Sequence, residues 1–168
     1  NSGSAYIFIR DVEEWTQQVK LTANDANGGD SFGYSVSMSG EYAIIGAHYD
    51  DDDGGNSGSA YIFIRDVEEW TQQVKLTADD ASVGDLFGKS VCINGDQAVI
   101  GAYGNRDDGN YSGSAYIFNR SGDDWTQQAK LTADDAGADD RFGFSVSIDG
   151  DYSAIGADGN DDDGDNSG

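Results

Sequence analysis

Aspartate is the residue type in this chain best placed to do chemistry, and it is not spread evenly. Runs of it stand at Asp50-Asp51-Asp52-Asp53-Gly54, Asp107-Asp108-Gly109 and Asp161-Asp162-Asp163-Gly164-Asp165. A second series lies between them: Asp25 and Asp30, then Asp79, Asp80 and Asp85, then Asp134, Asp135, Asp139 and Asp140. Carboxylates crowded in this way repel one another, and a hard cation with oxygen ligands relieves the repulsion. Calcium best tolerates irregular ligand sets drawn from loops. The candidate ligands are Asp50, Asp52, Asp80, Asp85, Asp107, Asp135, Asp140 and Asp162. The competing reading is a solvated, solubilising surface, or the acidic surface of a salt-adapted protein, with no site. No run has the EF-hand spacing: with the loop glycine as sixth residue, Tyr49, Gly104 and Gly159 fall on the first ligand position.

Other reactive side chains are few. His48 is the single histidine and reads as a loop residue, from which a Ser-His-Asp triad or a histidine-based zinc site is hard to build. Cys92 is the single cysteine, so the chain has no intrachain disulfide, and it reads as a small packed side chain. Trp15, Trp70 and Trp125 are expected to pack on a neighbouring strand, with an exposed ligand platform as the alternative. Asn110-Tyr111-Ser112 and Asn119-Arg120-Ser121 fit the glycosylation acceptor pattern, which matters only in a eukaryotic secretory host.

The net charge of −23 argues against nucleic-acid binding, which needs clustered Lys and Arg, and against anionic membranes. Cations and basic partners are the natural counterparts. No apolar run approaches the ~18 residues of a membrane span. Such charge with few large aliphatic residues could mean disorder. The placement of the apolar residues argues otherwise, because it is periodic.

A block of 55 residues is written three times. Residues 1–23 recur unchanged at 56–78, and a diverged copy fills 111–133. Phe32, Phe87 and Phe142 keep the same offset, as do Gly46, Gly101 and Gly156, and the last three letters begin a fourth copy. Self-similarity at this period marks a solenoid or propeller, in which each unit buries its apolar face against the next. The start at Asn1 suggests a processed, trimmed or partly sequenced product.

Each period reads as four strands: Ser59–Arg65, Trp70–Thr77 with strict alternation, Gly88–Ile93, and Gln97–Ala102. A tight Asn94-Gly95-Asp96 turn joins the last two, and Asn-Gly between apolar runs is a hairpin signal because both central residues can take φ > 0. There is no proline and no sustained helical period. The expected fold class is all-β, with propeller blades of four antiparallel strands. A β-solenoid is the competitor.

These residues also resemble the FG-GAP repeat, the blade unit of the integrin α-subunit propeller and of many bacterial surface proteins. The resemblance rests on Phe32-Gly33-x-Ser35-Val36, Phe87-Gly88-x-Ser90-Val91 and Phe142-Gly143-x-Ser145-Val146. Each is followed by Ile-Gly-Ala at 45–47, 100–102 and 155–157, then by the Gly-Ser-Ala-Tyr-Ile-Phe strand where that segment recurs. Two features depart from the family: His48, Tyr103 and Asp158 stand in place of the proline of Gly-Ala-Pro, and the integrin-type calcium loop is missing. That connection is here Ser39-Gly40-Glu41 or its equivalent, too short to wrap an ion. The family's calcium sites therefore cannot be carried over.

With the Phe-Gly strand innermost (A), the order is A, B, C, D. Residues 1–23 supply strands C and D of a first blade, 24–78 and 79–133 two whole blades, and 134–168 strands A and B of a last one. The Phe rings are expected between blades. Antiparallel strands put the B–C and D–A loops, and hence both acidic series, on one face. The open half-blades seek other copies of the chain or neighbouring repeats of a longer parent. Taken with the resemblance, this gives an expected function as a non-enzymatic extracellular or cell-surface protein for adhesion, scaffolding or self-assembly, with a protein or glycan ligand. A structural array forming a filament is the alternative, and an enzyme with a site in the ring's channel is the third reading.

Overall fold

The computed structural model describes residues 2–160, and in it the four extended stretches of each period are strands. In chain order they are β1 (Ala5–Asp11), β2 (Glu14–Leu21), β3 (Ser35–Ser39), β4 (Tyr42–Ala47), β5 (Ser59–Asp66) and β6 (Glu69–Leu76). There follow β7 (Ser90–Asn94), β8 (Gln97–Ala102), β9 (Ser114–Ser121), β10 (Asp124–Leu131), β11 (Phe142–Asp149) and β12 (Tyr152–Ala157). Strands β3-β4-β5-β6 and β7-β8-β9-β10 form two four-stranded sheets, while β1-β2 and β11-β12 form two-stranded ones. Every strand pairing is antiparallel. The A-position strands β3, β7 and β11 lie against one another in succession, as strands nearest a propeller axis do. Among the described residues the blades do not close into a ring.

Alternation along the strands builds the core between sheets. Neighbouring residues on β4 point to opposite faces: Ile45 joins Ile7, Leu21 and Phe32 on one side, and Ile44 joins Ile100, Tyr116 and Phe118 on the other. Both are fully buried because a whole blade is covered on both faces. The Phe-Gly phenylalanine is wedged at the seam. Phe87 forms an isolated parallel bridge with Gly58 of the preceding blade, while its ring packs edge-on against Tyr116 and Phe118 at 5.5 and 6.0 Å. Phe32 repeats this against Tyr61 and Phe63. Phe142 does not: it is only half-buried, because β11-β12 has no C strand beside it among the described residues.

Glycine is required where blades touch through their backbones. A Cβ on Gly46 would overlap the carbonyl of Gly88 in the next sheet, and one on Gly101 would overlap that of Gly143. The Ile-Gly-Ala glycine thus sets how closely successive sheets approach.

Two local expectations differ from the structure. The A–B turn is Gly95-Asp96, not Asn-Gly: Asn94 still pairs with Gln97, and only Gly95 has positive φ, the sign pattern of a type II′ turn. The D strands do not alternate strictly. A bulge displaces Gln73, so that Val74 opposes Ile62 while Gln72 opposes Phe63. Gln73 then accepts a hydrogen bond from the indole of Trp125 at 3.3 Å, and Gln18 likewise from Trp70 at 3.1 Å. Trp70 and Trp125 therefore pack onto the preceding blade as expected, whereas Trp15 is exposed.

The C–D turn holds a β-branched residue in the left-handed region: Val12 and Val67 have φ of 54° and 57°, where the third copy places Gly122 at 65°. The left-handed backbone costs a non-glycine residue ~1–2 kcal/mol, and glycine's extra unfolded-state freedom takes back ~0.5–1 kcal/mol. Val67→Gly should accordingly stabilise the protein by about 0.5–1 kcal/mol in urea unfolding. By contrast, Phe87→Ala should destabilise by ~3–5 kcal/mol and Phe142→Ala by less than half as much. Equal losses at the two phenylalanines would contradict the seam described above.

Candidate functional site

The loop face is organised by lysine. Lys75 on β6 lies opposite Tyr61 on β5, and its ammonium sits 5.5 Å from the centre of the Tyr61 ring. From there it reaches three carboxylates: Asp25 at 3.0 Å in the D–A loop, and Asp50 at 3.0 Å and Asp52 at 2.5 Å in the B–C loop. Asp50 is buried and also accepts hydrogen bonds from Ser59 Oγ at 3.0 Å and from the Tyr61 hydroxyl at 2.9 Å. The next blade repeats the arrangement with one change. Lys130 bonds Asp80 at 2.6 Å and Asp107, while Asn105 takes the place of Asp50 and accepts from Ser114 at 3.0 Å.

The titration behaviour follows from this geometry. Burial by itself would raise Asp25 and Asp80, but the hydrogen bonds and charges of Lys75 and Lys130 outweigh it and hold both below the usual carboxylate range. Burial would likewise lower the two lysines, and the carboxylates outweigh that, pushing both above an ordinary lysine. The Tyr61 hydroxyl is raised by burial and by its bond to Asp50.

A second set of carboxylates serves the backbone. Asp30, Asp85 and Asp140 are buried and accept hydrogen bonds from the amides of Asn27, Ser82 and Gly137 at 2.6, 2.9 and 2.6 Å, closing the D–A turns. Burial pushes Asp30 and Asp85 upward.

The candidate ligands therefore separate. Asp50 and Asp52 come together with Asp25 on one lysine, and Asp80 with Asp107 on the other. Asp85 and Asp140 are turn acceptors, Asp135 is exposed, and Asp162 lies outside the described residues. Oxygens of Asp25, Asp50 and Asp52 gather closely enough to hold a metal ion. That position is taken by the Lys75 ammonium, and a divalent ion among the same oxygens would have to displace it. Calcium does not fit the clamp as built.

His48 is buried against Tyr34 and Tyr49, with ring centres 4.2 and 4.0 Å away. Burial and the nearby charge of Lys89 push its pKa down to about 4. A shallow depression of about 380 Å³ opens between the first D–A and B–C loops, beside Asp30, Tyr49 and Asp51.

Antiparallel four-stranded sheets, stacked through a Phe-Gly wedge and repeated every 55 residues, define propeller-type blades. The FG-GAP repeat model matches residues 15–63, 70–118 and 125–168, and the chain belongs to the FG-GAP repeat family. The first two matched units run from strand D of one blade to strand C of the next, and the third runs from strand D past strand B of the last sheet, so each spans a seam. A search of curated proteins gives no match.

Lys75→Met should cost about 1–3 kcal/mol, less than a fully buried pair because Asp25 and Asp52 are partly solvated. Because the lysine's folded pKa is raised, its contribution is complete below its unfolded value of 10.5 and is lost as the pH climbs through the folded one. The gap between wild type and variant should accordingly narrow at alkaline pH. Melting the wild type in calcium, magnesium and sodium chloride at matched ionic strength should give equal shifts, whereas Lys75→Met should gain a calcium-specific one. A calcium-specific shift in the wild type would place an ion on the loop face after all.

Proposed function

We propose that the chain is a non-enzymatic, extracellular or cell-surface FG-GAP propeller segment serving adhesion, scaffolding or assembly. The observation that carries this reading is the engagement of the loop face's buried carboxylates, Asp30, Asp50, Asp85 and Asp140, by groups of the chain itself. Lysines hold carboxylates, and carboxylates hold turns. His48, buried and with its pKa near 4, is poorly placed to act as a base. What faces solvent is a dense carboxylate surface on a chain of net charge −23, suited to cationic and basic partners. The extracellular setting is supported by membership of the family. Calcium enters this reading as one cation among others that screen the surface, the lysine-held carboxylates not being its ligands. The outer edges of β1 and β12, unpaired among the described residues, favour an assembling array as the second reading.

Assayed against ester, phosphoester, peptide and glycoside substrates, the intact protein should show no turnover. It should bind an immobilised Lys/Arg-rich peptide with an affinity that falls steeply between ~50 and ~500 mM NaCl, and should leave anionic vesicles unbound. Turnover abolished by a single loop-face substitution would replace this reading with an enzymatic one.

A further inference from the structure

We propose that the second whole blade carries a binding site for a short carboxylated saccharide, built from Lys89, Tyr103, Arg106 and Tyr111. All four lie within residues 79–133, a blade with a described sheet on either side. Lys89 stands immediately before β7 and Tyr103 immediately after β8, and the pairing of Ser90 with Gly101 brings these two ends together. Arg106 and Tyr111 follow in the loop to β9. The side chains form one row. The Lys89 ammonium is 5.4 Å from the centre of the Tyr103 ring, Tyr103 stacks on Tyr111 at 6.2 Å, and the Arg106 guanidinium is 5.3 Å from the centre of Tyr111. Gly84 leaves room for that guanidinium, since a Cβ there would stand 3.1 Å from it. Each ring of a stacked tyrosine pair thus carries a cation.

These two cations differ from the others of the whole blades. Arg65, Lys75, Arg120 and Lys130 all pair with carboxylates. Lys89 and Arg106 form no ion pair among the described residues, in a chain with 32 acidic side chains. An ammonium has three N–H groups, and Lys89 gives one to the Tyr34 hydroxyl at 2.7 Å, which leaves two, among the described residues, for a carboxylate. A guanidinium matches a carboxylate with two parallel hydrogen bonds. Between the cations, the tyrosines offer apolar rings with polar tips, to which a sugar presents C–H groups and hydroxyls. The surroundings select further. Asp107 and Asp108, exposed and next to Arg106 in the loop, accept hydrogen bonds from hydroxyls and repel densely charged anions. A ligand with one carboxylate per ring and hydroxyls elsewhere meets every one of these groups. Nucleic acids and heavily sulfated chains carry too much charge, and a simple aromatic acid has no hydroxyls to offer. The first whole blade has Tyr34, His48, Asp51 and Asn56 at these four positions and so lacks both cations.

The site goes beyond the basic partners proposed above and uses different groups, so either can fail while the other stands. The probe is trigalacturonate, with maltotriose as an uncharged trisaccharide of similar linkage and inorganic phosphate as a bare anion. His48, the single histidine, packs against Tyr34, which bonds Lys89, so its ring resonances report binding by NMR. At an ionic strength of ~0.15 M, trigalacturonate should move them saturably, with a Kd below ~10 mM and at least about 10-fold tighter than either control. Lys89→Met and Arg106→Gln should each weaken it about 10-fold. Arg106 is exposed, so its replacement should leave the melting temperature unchanged and keeps the test open even if Lys89→Met fails to fold. Tyr103→Leu, which keeps bulk and removes the ring, should weaken binding as well. Phosphate binding as tightly as trigalacturonate would mean a bare anion site, and maltotriose doing so would take the cations out of recognition. Either result would overturn the proposal, as would a lack of saturation or an unchanged affinity in folded Arg106→Gln.

Discussion

The contact on which the rest depends is between backbones. Gly58 meets Phe87, Gly46 meets Gly88, and the same pairs recur one period later. Because no Cβ intervenes, consecutive sheets approach closely enough for a phenylalanine ring to be wedged beside the seam and for aliphatic side chains to fill the space above it. The same approach places each D–A turn beside the B–C loop, shown by the amide of Gly84 bonding the carbonyl of Gly55 at 3.0 Å and that of Leu86 bonding Asn56 at 3.2 Å. The loop face is a consequence of the seam rather than an independent design.

Much of the architecture was legible in the letters. Period, strand number, antiparallel order and the half-sheets at both ends follow from where Phe-Gly, Ile-Gly-Ala and Ser-Ala-Tyr-Ile-Phe recur. The site was less so. Reading the acids alone, one sees repulsion in need of a cation, and Asp50, Asp52, Asp80 and Asp107 do gather as that argument requires. What supplies the positive charge was hidden by strand D. Strict alternation along Trp70–Thr77 treats Lys75 as one more outward residue, whereas the bulge at Gln73 resets which residues share a face. A signal was present nonetheless. Of only nine basic residues, three lysines, Lys20, Lys75 and Lys130, occupy the same place in the period.

A lysine among carboxylates differs in kind from a bound metal. The ammonium is covalently attached, so its local concentration does not depend on the medium, and it cannot be chelated. It also carries a single charge: with Asp25, Asp50 and Asp52 around Lys75, an excess of negative charge remains at that corner. The second clamp has less, because Asn105 replaces Asp50. The two corners of one face therefore differ in field while sharing a geometry.

The offset between the family's repeating unit and the blade has a consequence for how such a chain changes length. Each unit begins in one sheet and finishes in the next, so cutting at the same point in any two copies and rejoining them restores every seam in between. Residues 1–23 and 56–78 are identical, which makes such exchange conservative in sequence as well as in shape. Gain or loss of a whole period alters the number of blades and leaves the chemistry of both outer edges unchanged. Size and packing are thereby uncoupled: one recombination event can resize the array while every interior seam keeps its contacts.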